Sequence, residues 1–152
     1  MLPLVANADT SANLLNQNFD SNAWSGTATG RHGSNEIAAQ HGQYLESTIS
    51  LSNTLTEDQI KYGWTSTLGA DIWHWNNNTS ETEMLQTITA SDGTVTTQSR
   101  KVTLSGCGYV NCGSHQTYTD SYTEGMNGNT DYDITVRFNF SESTQAPYHW
   151  AV

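Results

Sequence analysis

The densest supply of binding chemistry in this sequence is DIWHWNNN, residues 71 to 78, where Trp73 and Trp75 flank His74 and lead into Asn76, Asn77 and Asn78. Residues two apart share one face of an extended strand. Flat indole faces on that side would stack on the C–H groups of a sugar ring, while neighbouring amides bond its hydroxyls. Trp73, Trp75, Asn76 and Asn77 are therefore the candidate carbohydrate-binding residues. The competing assignment is packing, because an indole is equally valuable in a core or a subunit interface.

Carboxylates come next. Glu81 and Glu83 share a strand face in SETEM, and Asp131 and Asp133 do the same beside a turn. Glycoside hydrolysis needs two such groups about 5 to 9.5 Å apart in a cleft. Acidic residues in polar stretches are ordinarily solvated surface, and no G-x-S-x-G, H-E-x-x-H or phosphate-binding loop accompanies these. The expectation is a protein that is not an enzyme.

Cys107 and Cys112 lie in the glycine-rich stretch SGCGYVNCGSH. In an oxidising compartment their short separation favours a local disulfide. A zinc site would need two more ligands; His115 is near, and no fourth has a recognisable spacing.

Composition narrows the partners. Of 152 residues only 13% are Asp, Glu, Lys or Arg, against about 25% in an average domain, and the formal net charge is −10. Ser, Thr, Asn, Gln and Gly carry the remaining polarity, which suits turns and the wet faces of strands. Nucleic acid is excluded by the charge and the lack of a basic cluster. No apolar run approaches the roughly 18 residues of a membrane span. The first ten residues, MLPLVANADT, read as a disordered N-terminus or the remnant of an export signal, followed by a single domain over 11–152.

The elements that would position these residues are strands. Alternation is clear in QYLESTISLS (43–52), where Leu45, Ser47, Ile49 and Leu51 oppose Tyr44, Glu46, Thr48 and Ser50. It recurs in DITVRFNFSES (133–143), where Ile134, Val136, Phe138 and Phe140 form the apolar set. In GWTSTLGADIWHWN (63–76) Trp64, Ser66, Leu68, Ala70, Ile72 and His74 share one parity. Trp73 and Trp75 take the other, unless Gly69 marks a bulge that flips the register.

MLQTITA and TVTTQSRKVTL surround Ser91-Asp92-Gly93, a hairpin signal. EIAAQ, QTYTDSYTEG and APYHWAV supply further strands, and His149 and Trp150 are expected to pair with the opening strand. The only helical signal is TLTEDQIKYGW, capped by Thr56 with Glu57 and Asp58 in its first turn. About eight strands and at most one short helix give an all-β antiparallel sandwich, a jelly roll.

The opening segment carries Asn13-Leu14-Leu15, then Asn18-Phe19-Asp20, then Trp24. It resembles the first strand of jelly-roll carbohydrate-binding modules and galactose-binding-like domains, and the chain is similar to such domains in virion structural proteins of marine bacteriophages. That resemblance implies Leu14 and Phe19 buried between sheets, with Trp24 capping the core. It also implies a structural Ca2+ held partly by Asp20, although the late aspartate that usually completes such a site is missing after PYHW.

The resulting expectation is a non-catalytic β-sandwich, extracellular or on a virion surface, whose partners are glycans or cell-surface polysaccharide. The alternative is a structural assembly subunit, a phage decoration or fibre protein or an extracellular filament protein, that contacts other virion or filament subunits through strands or apolar patches.

Overall fold

The computed structural model describes residues 14, 24–28, 30–31, 37–39, 41–74, 80–104, 116–142 and 149–151; at several strand ends, including 71, 73–74 and 149–151, the description is of backbone and register. The strands are β1 (Ser25–Gly26), β2 (Gly30–Arg31), β3 (Ile37–Ala39), β4 (Tyr44–Ser50), β5 (Trp64–His74), β6 (Ser80–Ala90), β7 (Val95–Leu104), β8 (Gln116–Glu124), β9 (Tyr132–Glu142) and β10 (His149–Ala151). They form two antiparallel sheets, ordered β1-β4-β9-β6-β7 and β2-β3-β10-β5-β8. The all-β sandwich read from the sequence is the fold.

The connectivity follows from nested pairing. β3 pairs with β10, β4 with β9, β5 with β8 and β6 with β7. This is one long hairpin whose successive pairs alternate between the two sheets, which is the jelly-roll arrangement. Its tip is Ser91-Asp92-Gly93: Gly93 N–H donates to Ala90 O at 2.9 Å and Ala90 N–H to Thr94 O at 2.8 Å. Gly93 at φ +87° supplies the left-handed residue such a three-residue turn requires.

Alternation decides which side is buried. Leu45 on β4, Met84 and Ile88 on β6, Val102 on β7, and Ile134, Val136, Phe138 and Phe140 on β9 face Leu68, Ala70 and Ile72 on β5. Leu14 and Trp24 pack against this core, with the Trp24 ring 6.2 Å from Phe138. Ser47, Thr82 and Gln86 break the apolar pattern at inner positions; Gln86, the largest, accepts from Ser66 Oγ at 2.6 Å and donates to the Asp120 carbonyl at 3.0 Å. The amide on β6 thus bonds both β5 and β8 of the opposite sheet, the satisfied state a buried polar group demands.

The short helix α1 (Glu57–Tyr62) begins at Thr56 as expected, with a complete capping box: Gln59 N–H donates to Thr56 Oγ1 while Thr56 N–H donates to Gln59 Oε1. Ile60 anchors it in the core. It stops at Gly63, whose φ of +106° and close approach to the Glu124 carbonyl suit glycine alone; a Cβ there would sit 2.7 Å from that oxygen.

Register closes one alternative and corrects one expectation. Gly69 is not a bulge: the β5–β8 pairing runs unbroken from Trp64↔Glu124 through Gly69↔Thr119 to Ile72↔Gln116. β10 does not adjoin the opening strand, because β3 and β5 occupy its two sides.

Candidate binding cleft at the hairpin tip

A cleft of about 210 Å³ lies where the β6–β7 hairpin, the end of β8 and the loop before β9 converge. Ile88 and Tyr132 belong to the buried core beneath it, while Asp92, Thr94, Tyr122, Glu124, Asn127 and Asn129 supply its polar wall. Trp64 supports that wall from behind, its ring 5.0 Å from Tyr132 edge-on and 5.6 Å from Tyr122. Each element places its residue for a local reason. Alternation on β8 turns Tyr122 and Glu124 inward, and the turn-forming sequence MNGNTD folds Asn127 and Asn129 back over the hairpin.

The wall is cross-braced. Asn129 is buried; its Oδ1 accepts from Ser91 Oγ at 3.1 Å and Asp92 N–H at 3.2 Å, and its Nδ2 donates to Asp92 Oδ2 at 3.4 Å. Asn127 Oδ1 accepts from Asn129 N–H at 3.1 Å, and Asn127 Nδ2 donates to the Tyr132 hydroxyl. Tyr122 donates to Glu124 Oε2 at 2.6 Å. Amides, phenols and carboxylates are therefore held in fixed positions before any ligand arrives, which reduces the ordering cost of binding.

The electrostatics favour acceptance rather than acid catalysis. Backbone and side-chain hydrogen bonds from Thr94 hold Asp92 below the ordinary carboxylate range. Its carboxylate stays ionised and accepting, whereas a general acid needs its proton held at higher pH. The hydrogen bond to Glu124, with burial second, raises the Tyr122 phenol, keeping it a donor.

Of the candidate sugar-binding, calcium and cysteine residues, only Trp73 has a described backbone position, on β5 opposite Trp150 of β10. It lies nine residues along β5 from the Trp64 end beside the cleft, about 30 Å at the rise of a strand. Trp75, Asn76, Asn77, Asp20, Cys107 and Cys112 lie outside the described residues, as does residue range 1–13. Among the described residues no three His, Cys, Asp or Glu gather to hold an ion.

The carboxylate pairs lie away from the cleft or serve as braces. Glu81 meets Lys101 at 3.1 Å and Glu83 accepts from Asn139 at 3.1 Å, both on the outer face of β6. Asp131 accepts from Ser52 N–H at 3.0 Å and Ser50 Oγ at 3.1 Å.

The cleft residues were missed because they come from four segments between Ile88 and Tyr132; Asp92-Gly93 and the asparagine-rich loop were visible only as turns. Among the described residues no helix is long and apolar enough to cross a membrane. No protein-family model and no curated protein matches this chain.

Proposed function

We propose that this chain is a non-catalytic carbohydrate-binding β-sandwich working outside the cell or on a virion surface, and that the hairpin-tip cleft takes a neutral sugar. The observation that carries the reading is the cleft wall itself: amides, phenols and carboxylates, braced by one another, are the donors and acceptors that match ring hydroxyls. Support comes also from the charge, since a chain at −10 with few cations favours an uncharged ligand.

Calorimetric titration with a panel of neutral oligosaccharides tests it. Glu124→Ala is expected to weaken the best ligand at least tenfold with the thermal midpoint little changed. Binding unaffected by Glu124→Ala and Asn127→Ala together, or no binding of any sugar, overturns the reading.

A second reading, a structural assembly subunit, is favoured by the flank where β7 and β8 end their sheets. Each is a long edge, of 10 and 9 residues, suited to strand addition by a neighbour. Mass growth with concentration in light scattering would support it, and a constant monomer mass would remove it.

A further inference from the structure

We propose that Asn127-Gly128 is a site of self-modification: the Gly128 nitrogen attacks the Asn127 carboxamide, the asparagine becomes aspartate and isoaspartate, and the cleft is disabled as the chain ages. The chemistry is independent of what the cleft binds; its effect on binding rests on the sugar reading.

The chain contains two Asx-Gly steps, Asp92-Gly93 and Asn127-Gly128, one on each of the two loops that meet at the cleft. In such a step the glycine nitrogen can close a ring on the side-chain carbon before it, because no Cβ on the glycine obstructs the approach. Both glycines have positive φ, +87° and +83°, and a Cβ on either would meet nothing within 4 Å. Dipeptide and backbone therefore do not separate the two steps. Hydrogen bonding does.

At the hairpin tip both reactants are withheld. The Gly93 N–H donates to the Ala90 carbonyl at 2.9 Å, so its nitrogen is engaged in the turn. Asp92 accepts from the Thr94 N–H at 2.8 Å and from Asn129 Nδ2 at 3.4 Å, bonds that favour the ionised form. A carboxylate resists nucleophilic attack.

At Asn127 both reactants are available. Among the described residues no acceptor takes the Gly128 N–H, and Asn127 and Gly128 are both exposed. The Asn127 carboxamide is neutral, and its Oδ1 accepts from the Asn129 N–H at 3.1 Å. That bond closes an Asx turn with the Gly128 nitrogen inside it, which keeps the carboxamide folded over its own backbone. It also draws electron density away from Cγ.

The step balances without an oxidant, a metal or a second protein. Gly128 N gives its proton to hydroxide and bonds to Cγ; the Cγ–Nδ2 bond breaks, and the nitrogen takes a proton from water and leaves as ammonia. Water then opens the succinimide at either carbonyl, giving aspartate or isoaspartate.

The products undo the bracing of the cleft. Asn127 Nδ2 donates to the hydroxyl of buried Tyr132, and Asn127 Oδ1 holds Asn129, which bonds Ser91 and Asp92 on the hairpin. A carboxylate at 127 cannot donate to Tyr132, and its charge joins those of Asp92 and Glu124 in a lining that holds no Lys or Arg. Isoaspartate also routes the main chain through Cβ, so the loop lengthens by one carbon and Asn129 loses its register with the hairpin.

Peptide mapping by mass spectrometry tests the site, on the full chain kept in mildly alkaline oxygen-18 water, folded and in urea. Expected are label at residue 127, aspartate and isoaspartate together, and conversion in the folded chain at least as fast as in urea. Asp92 should isomerise in urea and at least about tenfold more slowly when folded, a difference of about 1.4 kcal/mol in barrier. Gly128→Ala, checked for folding by its thermal midpoint, should slow conversion about tenfold or more. The folded-against-urea comparison needs no variant, so it stands if Gly128→Ala unfolds. Asn127 converting tenfold more slowly folded than in urea, or at the rate of Asp92 in the folded chain, overturns the site. Sugar affinity is expected to fall in step with the converted fraction and in Asn127→Asp; affinity that survives full conversion overturns the disabling role. A chain that converts at Asn127 but binds no sugar before conversion overturns the cleft reading, and with it that role, and supports the modification site.

Discussion

The Ser66 hydroxyl reaches across the sandwich to Gln86 at 2.6 Å, and the same amide donates to the carbonyl of Asp120 at 3.0 Å. One buried side chain thus ties the two sheets together inside the core, and at their flank Arg100 Nη1 donates across to the Thr119 carbonyl at 2.6 Å. Gln86→Ala removes both bonds and opens a cavity, so a loss of about 2 to 4 kcal/mol is expected. Ser66→Ala should cost about 1 kcal/mol. Urea unfolding of both variants and their combination would show non-additivity, since they share one bond. Strict additivity would mean that the bridge contributes nothing.

Gly63 and Gly93 make a paired test of backbone chemistry. Both have positive φ, +106° and +87°, so alanine at either position meets a disfavoured conformation. Only at Gly63 does the new Cβ also collide, 2.7 Å from the Glu124 carbonyl; at Gly93 nothing lies within 4 Å. Gly93→Ala should cost about 1 kcal/mol, and Gly63→Ala distinctly more, measured by chemical denaturation. The reverse order would contradict the close packing of α1 against the end of β8.

These tests also show what was legible in the sequence. The capped helix, the Ser91-Asp92-Gly93 turn and the alternation of β4 and β9 are local signals, fixed by neighbours within a few residues. Gln86 occupies an inner position by phase with Met84 and Ile88, yet its polarity hides that role until its partners on β5 and β8 are in place. A bulge at Gly69 stays open in the sequence because parity within one strand cannot show whether its pairing is continuous; the β8 register closes it. The cleft was illegible for the same reason, as Asp92 and Glu124 meet only once β8 is laid beneath the hairpin.

Acid should loosen the loop before β9. Burial works to raise Asp131, but hydrogen bonds from Ser52, the Tyr132 N–H and Ser50 outweigh it and hold the carboxyl below its ordinary range. A carboxylate depressed in the folded state contributes stability that is fully present above its unfolded pKa, about 3.9, and is lost as pH falls through the folded value. Asp131→Asn should therefore lower the thermal midpoint at pH 6 and make little difference well below pH ~3. A deficit that persists undiminished in acid would assign the effect to something other than the ionised group.

Thr56→Ala removes the hydroxyl half of the capping box on α1 while the backbone N–H of residue 56 keeps its bond to Gln59 Oε1, and should cost about 1 kcal/mol, with the sheets unaffected. Hydrogen exchange offers the sharper readout: faster exchange is expected at Gln59 and Ile60, with unchanged protection on β6 and β9. Uniform loss of protection would mean that α1 and the sandwich unfold as one unit.

Tyr122 links stability and binding most directly. Its ring packs 5.6 Å from Trp64, while its hydroxyl holds Glu124 at 2.6 Å in the cleft wall. Tyr122→Phe keeps the ring and frees the carboxylate, so the melting temperature should change little. Sugar affinity should fall about tenfold, equivalent to about 1.4 kcal/mol. The bond to Glu124, aided by burial, raises the phenol above its ordinary value. The proton is therefore retained, and with it the donor, through neutral and mildly alkaline pH. Wild-type affinity should stay level from pH 7 to about 9 and decline only as the phenol ionises, above its ordinary pKa of about 10. Calorimetry across that range, with Tyr122→Phe as the control that lacks the alkaline decline, separates a bonded phenol in the site from one that merely packs beneath it.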